Sequence, residues 1–178
     1  MIKKWKLVTR ERVFETNYLN IEKHSYELPN GKIIEDYYHV NRPNYVLIIA
    51  RNKKGEILLE KNYRRGVDEI LFELPAGWIE KDEDLISAAL RELKEETGFS
   101  GNARLLGEIY PQPAYSSQYA FIVLIELDNT ISLKVPDEDE NTEISFVNLI
   151  KISEKIKKGE IKDMGIISAI SILNESER

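Results

Sequence analysis

The stretch from Gly77 to Phe99 constrains the fold most, because a turn, a helix-period run and a second glycine follow one another without a break. Pro75-Ala76-Gly77 closes a short apolar run, and from about Glu83 to Thr97 the apolar residues change to helical spacing. Leu85, Ala88, Ala89 and Leu93 recur at intervals of three and four and mark one buried face. Gly98 stands where a C-terminal cap belongs. The other side carries Arg91, Glu92, Lys94, Glu95 and Glu96. Glu92 and Glu96 lie one helical turn apart and Glu95 falls between them, so three carboxylates crowd one side. Like charges so placed repel by roughly 0.2–0.5 kcal/mol per pair in an isolated helix. A hard divalent cation, which takes oxygen ligands, gives such crowding a purpose. A solvated acidic face with Arg91 paired to Glu95 satisfies the same spacing.

The segments around this helix read as strands. Tyr18–Leu28 and Lys32–Val40 flank the turn Pro29-Asn30-Gly31 and form a hairpin or small antiparallel sheet within residues 1–44. Tyr45–Ala50 is a continuous apolar run, with Glu56–Tyr63 as its expected hairpin partner across the turn at 52–55. Further strands are expected at Ile70–Leu74, Leu105–Tyr110, Tyr119–Leu127 and Ile144–Leu149. A helix from about Ser153, broken near Gly159 and resumed over Ile166–Leu173, closes the chain. A mixed sheet with two or three helices is an α/β (α+β) sandwich, expected over residues 45–178. The absence of a glycine-rich βα turn speaks against a dinucleotide-binding fold.

Composition removes several alternatives. With no cysteine, thiolate metal sites and Cys nucleophiles are excluded. A net charge of −6 does not suit a non-specific nucleic-acid binder, and an acidic chain acting on phosphates needs cations to offset repulsion. No apolar run reaches the roughly 20 residues of a membrane helix, and the first residues lack a signal-peptide core. Neither nucleic acid nor membrane is expected as a partner, and the cytoplasm is the expected location. His24 and His39 have no neighbour at metal-ligand spacing and read as structural or surface residues. Ser116 and Ser117 lack the glycine elbow of a serine hydrolase.

The residues flanking the carboxylates decide between the two readings of the helix. Gly77 is followed after five residues by Glu83, then after seven by Arg91-Glu92, Leu93, Glu95-Glu96, Gly98 and Phe99. In this pattern the chain resembles the Nudix hydrolases, from about Trp5 to the final helix. The resemblance implies a Nudix-type α/β/α sandwich in which the motif forms a loop–helix–loop. It also implies the chemistry, in which water attacks one phosphorus of a nucleoside diphosphate linked to another group. By the same resemblance Glu92 and Glu96 are metal ligands, with Glu95 as a third and the Ala76 carbonyl as a further ligand. Arg91 would orient the carboxylates, and Glu83 would bind a further metal or support the loop. The implied cofactor is Mg²⁺ or Mn²⁺, in two or three ions.

Outside the motif, Asn62-Tyr63-Arg64, Glu73-Leu74-Pro75-Ala76-Gly77 and Pro113 resemble the ADP-ribose pyrophosphatase branch. Residues 5–44 resemble the extra sheet through which those enzymes form homodimers. The implied reaction is hydrolysis of ADP-ribose to AMP and ribose 5-phosphate. GDP-mannose, another nucleoside diphosphate sugar or a dinucleoside polyphosphate is the alternative, the last because Tyr115 lies in the same loop as Pro113. A module that senses a nucleotide sugar without cleaving it is the non-enzymatic alternative. Arg42 and Arg64 are candidate phosphate or ribose contacts, since guanidinium forks suit phosphate. Trp78 is a candidate wall of the site. In this branch the general base comes from an acidic loop, and here Glu138, Glu140 and Glu143 all qualify, with one of them, Glu140, also a candidate metal ligand.

Overall fold

A computed structural model describes residues 1–17, 19–131 and 142–178. The chain divides into two compact units. The first comprises Met1–Pro43 together with Tyr110–Tyr119, and the second comprises Asn44–Ile109 and Ala120–Arg178. A reading along the chain places the boundary after residue 44 and has no means of assigning the 110–119 segment to the first unit.

In the first unit, β1 (Lys6–Glu15), β2 (Asn20–Glu27) and β3 (Ile33–Asn41) form an antiparallel sheet in the order β1-β2-β3. The expected hairpin is β2–β3, and it turns at Gly31, whose φ of 83° is the left-handed conformation glycine adopts freely. β1, which the sequence does not single out, is exposed at every position. Its lack of a buried face removes the apolar alternation that marks a strand. The 110–119 segment is tied to β3, where Val40 N–H donates to the Tyr115 carbonyl at 2.7 Å and the Tyr37 hydroxyl to the Ala114 carbonyl at 2.7 Å.

The second unit is an α/β/α sandwich. Its mixed sheet runs β10 (Glu143–Val147), β5 (Ile57–Arg64), β4 (Tyr45–Arg51), β9 (Ala120–Ile131) and β8 (Phe99–Ile109). β4 and β9 are parallel, while β6 (Glu69–Glu73) and β7 (Ala76–Trp78) pair antiparallel with β5 and β4. Alternate residues of the central strands feed two cores. Val46, Ile48, Ala50 and Leu58 pack with Ala88, Ala89 and Leu93 of α1 (Leu85–Thr97). Leu47, Ile49, Ile57 and Leu59 pack with Ile152 of α2 (Leu149–Lys157) and Ile166, Ala169 and Leu173 of α3 (Met164–Ser176). A strand buried on both faces reads as an unbroken apolar run, which is what 45–50 shows.

Three expectations shift at their ends. β8 begins directly after Gly98 rather than at Leu105. The last strand stops at Val147, because the Asn148 side chain caps α2 by accepting from Lys151 N–H at 2.9 Å, so Leu149 opens a helix. The β4–β5 hairpin is paired next to its turn, Arg51 opposite Ile57, whereas further along β4 takes β7 as its neighbour.

Candidate active site

Both ends of α1 are fixed by capping. Asp84 accepts from Ile86 N–H at 3.1 Å and Ser87 N–H at 3.0 Å, and Gly98, at φ 74°, returns its N–H to the Lys94 carbonyl at 3.0 Å. The apolar stripe is turned to the sheet, and Glu92 and Glu95 of the helix, with Glu83 before it, gather around Arg91. Its Nε and Nη2 meet the two oxygens of Glu83 at 2.9 and 2.9 Å. Nη1 reaches Glu92 at 2.8 Å and Glu95 at 3.1 Å, and Nη2 also donates to the Trp78 carbonyl at 3.0 Å. A planar fork with five N–H groups can serve this many acceptors at once; an ammonium cannot. Arg91 is held still further above its ordinary range, first by Glu83 and then by Glu92, against the opposing effect of burial.

The Glu83 carboxyl is correspondingly pushed down, chiefly by Arg91 and secondly by Glu80 N–H at 3.0 Å, and Asp84 is pushed down by its bonds to Ser87 and Ile86. Both contributions are therefore complete above the ordinary pKa values of 4.5 and 3.8 and vanish as pH falls through the lowered ones. Thermal melting of the wild type is expected to lose stability in acid more steeply than a Glu83→Gln variant does. Equal slopes below pH 4.5 would remove the Arg91–Glu83 pair as a source of stability.

Gly77 sits where Glu92 needs space. A Cβ at residue 77 would lie 1.9 Å from the Glu92 carboxyl carbon and 2.2 Å from either oxygen. The motif glycine is thus explained by the close approach of a carboxylate and not by an unusual φ. Ala76 and Trp78 flank it in β7, paired with Leu47 and Tyr45. One oxygen of Glu96 is shielded from solvent.

A second polar group occupies β5 and β6. Asn62 Nδ2 donates to Glu60 at 3.3 Å and Glu73 at 3.2 Å, and its oxygen accepts from the Thr142 hydroxyl at 2.7 Å. Arg64 Nε contacts both oxygens of Glu73, at 2.7 and 2.9 Å. Hydrogen bonding to Glu73 raises the Arg64 pKa against burial, and the fields of Glu60 and Glu96 add to it. Glu60, Asn62 and Arg64 alternate along β5 on the side of Leu58 and α1. Glu60 and Thr142 escape a motif search, and strand alternation from Arg64 is the signal that would find Glu60.

Glu143 is placed elsewhere. It lies opposite Lys61 across β10–β5 and bonds its ammonium at 2.9 and 3.0 Å, on the face of β5 that carries Tyr63. Cross-strand partners share a face, so Glu143 lies on the Lys61 face of β5 and points away from the Glu60–Arg64 face. Glu138 and Glu140 lie outside the described residues. Arg42, Pro113 and Tyr115 belong to the first unit, where Arg42 is exposed and Pro113 lines a cavity.

Among the described residues no three acidic or histidine side chains already converge as a metal cage. The donor set nevertheless fits a hard divalent cation. It consists of acceptor-only carboxylates at 92, 95 and 96, one of them with a solvent-shielded oxygen, and a hollow at Gly77 in which a carboxylate is seated.

Comparison with known proteins bears on this arrangement directly. Residues 41–167 match the NUDIX domain, which covers all of the carboxylate helix. The chain belongs to the Nudix family. Nudix hydrolases act on pyrophosphate bonds and depend on divalent metal, so the Nudix helix described above is part of a hydrolase. Residues 5–40 match the nucleoside diphosphate sugar hydrolase N-terminal domain. An ADP-ribose pyrophosphatase of Bacillus subtilis (strain 168) is 31% identical over 176 residues, 97% of this chain and 94% of its own. A methanol dehydrogenase activator of Bacillus methanolicus is 29% identical over 177 residues, with 97% and 94% covered. A crystal structure of an ADP compounds hydrolase superposes with a TM-score of 0.84 at 24% identity, covering 98% of this chain and 95% of the other, and supports the Nudix fold.

Proposed function

We propose that this protein is a Mg²⁺-dependent hydrolase of nucleoside diphosphate sugars that splits ADP-ribose into AMP and ribose 5-phosphate. The observation that carries the reaction is the complete Glu92, Glu95 and Glu96 set on α1, with Glu92 and Glu95 bonded to Arg91, Glu92 seated against Gly77 and one oxygen of Glu96 shielded from solvent. The choice of ADP-ribose rests on the Bacillus subtilis relative, similar over nearly the whole length of both chains.

Glu92, Glu96 and Glu95, with the Ala76 carbonyl, would hold the metal. Bound there, divalent cations neutralise the pyrophosphate and acidify a water. The chain supplies orientation. Arg91 keeps the carboxylates from splaying apart under their mutual repulsion. Glu73 holds the Arg64 guanidinium in one orientation, from which its free edge is offered to a phosphate oxygen. Trp78, exposed beside the motif glycine, offers a flat wall to the substrate.

The test is release of AMP and ribose 5-phosphate from ADP-ribose, read as phosphate after a monoester-specific phosphatase is added. Turnover is expected with Mg²⁺ and is abolished by EDTA. A panel of ADP-ribose, GDP-mannose, dinucleoside polyphosphates and NADH ranks the substrates by kcat/KM. Silence across the panel with folded protein and Mg²⁺ would favour a sensing module instead.

The working form in this reading is a cytoplasmic homodimer. The support is β1, ten residues long and exposed throughout, with Leu7, Val8, Val13 and Phe14 all uncovered. No helix among the described residues is long and apolar enough to cross a membrane. Sedimentation is expected to give a dimer for the wild type and a monomer for a Val13→Glu/Phe14→Glu double variant. A wild-type monomer at micromolar concentration would end the homodimer reading.

A further inference from the structure

Behind Arg64 runs a chain of hydrogen bonds that reaches from β6 to the head of β10. Arg64 grips Glu73 with one edge of its guanidinium. Nε meets both carboxylate oxygens, at 2.7 and 2.9 Å, and Nη2 meets one of them at 2.6 Å, so Nη1 is the nitrogen outside the pair. The Glu73 side chain is 13% exposed and that of Arg64 58%. The shielded partner is the fixed one, and whatever orients the Glu73 carboxylate therefore orients the guanidinium as well.

Glu73 stands directly opposite Glu60 across the β5–β6 pairing, and Glu60 is buried. Two carboxyl groups set opposite each other on neighbouring strands push apart when ionised. Asn62 bridges them, donating from Nδ2 to Glu73 at 3.2 Å and to Glu60 at 3.3 Å. Both Glu73 oxygens already accept from Arg64, so only the amino side of the amide can face them. The amide oxygen is thereby turned to Thr142, whose hydroxyl donates to it at 2.7 Å, the shortest of the three bonds. That meeting is fixed by register, since pairing of Glu143 with Lys61 brings Thr142, one residue earlier, beside Asn62. The terminal torsion of an Asn is broad, so the hydroxyl decides which side of the amide faces the carboxylates.

We propose that Thr142 and Asn62 are positioning residues for Arg64. The hydroxyl fixes the amide, the amide fixes Glu73, and Glu73 presents the guanidinium to the substrate's pyrophosphate in one orientation. This inference rests on the reading of Arg64 as a phosphate contact in ADP-ribose hydrolysis. Neither Thr142 nor Asn62 touches the reacting atoms in it, so their contribution belongs to binding.

Thr142→Val keeps the size of the side chain and removes the hydroxyl. With ADP-ribose and Mg²⁺ its KM is expected to rise about three- to tenfold, as for one lost hydrogen bond, while kcat changes by less than about twofold. Thr142→Ser should restore the wild-type KM. In an Arg64→Ala background, Thr142→Val should leave KM where Arg64→Ala alone sets it, because the residue acts through the guanidinium. Solvent exchange of the Arg64 Nε–H, read by NMR without substrate or metal, should be about three- to tenfold faster in Thr142→Val than in the wild type or Thr142→Ser. Should Thr142→Val fail to fold, Asn62→Asp carries the same measurements, since it keeps the size and loses both N–H donors. Unchanged exchange, an unchanged KM, or a KM penalty that multiplies with that of Arg64→Ala would overturn the proposal. Faster exchange in a protein whose wild type turns over no ADP-ribose supports the positioning and ends the ADP-ribose reading. Unchanged exchange beside wild-type turnover does the reverse.

Discussion

Glu96→Gln is expected to lower kcat by roughly two to four orders of magnitude and leave the melting temperature close to that of the wild type. The side chains are equal in size, so the packing around α1 is kept. What changes is the chemistry of a solvent-shielded atom, since one oxygen of Glu96 is buried. The amide places N–H donors where a cation needs an electron pair, and it removes a negative charge beside Arg64. A pure loss of ground-state binding would appear in KM, whereas a loss concentrated in kcat marks an interaction made in the transition state. Near-wild-type turnover of Glu96→Gln would sink the assignment of the carboxylate helix as the metal site.

Gly77→Ala is expected to cost stability and activity together. The added methyl would stand 1.9 Å from the Glu92 carboxyl carbon, so Glu92 must leave its seat. Leaving breaks its 2.8 Å bond to Arg91 and opens the gathered face of the helix. Overpacking of this kind costs about 1–3 kcal/mol, and a displaced ligand costs turnover in addition. A Gly77→Ala/Glu92→Ala double variant separates the two effects. Removing the Glu92 carboxylate relieves the clash, so the double variant should melt above Gly77→Ala while remaining inactive. If Gly77→Ala alone melts and turns over like the wild type, the seat is not what the glycine provides.

The legible parts of this protein are those where local chemistry and burial agree. The 85–97 helix is bounded by Asp84 and Gly98, and its apolar stripe coincides with the positions that pack on the sheet. The strand at 45–51 is readable because both of its faces are buried. β1 lacks that signal, since exposure along the whole strand leaves its composition unconstrained by a core. The site shows the same divide. Arg91, Glu92, Glu95 and Glu96 are set by helical spacing, which sequence displays directly. Glu60, Asn62 and Thr142 meet only because β5 and β10 pair in one register. The position of Glu143 depends on the same register. It is acidic and follows the acidic stretch, and strand parity alone turns it toward Lys61.

The Arg91 guanidinium, bonded to Glu83, Glu92 and Glu95, is in effect a tethered counter-ion. It supplies positive charge to the carboxylates before any dissolved ion arrives, so the chain is expected to fold without a divalent cation. Reaching the native state and acquiring metal become separate events. Metal starvation should then yield a dormant reservoir of intact protein, ready to work on resupply, in contrast to metalloproteins whose apo chains unfold and are degraded.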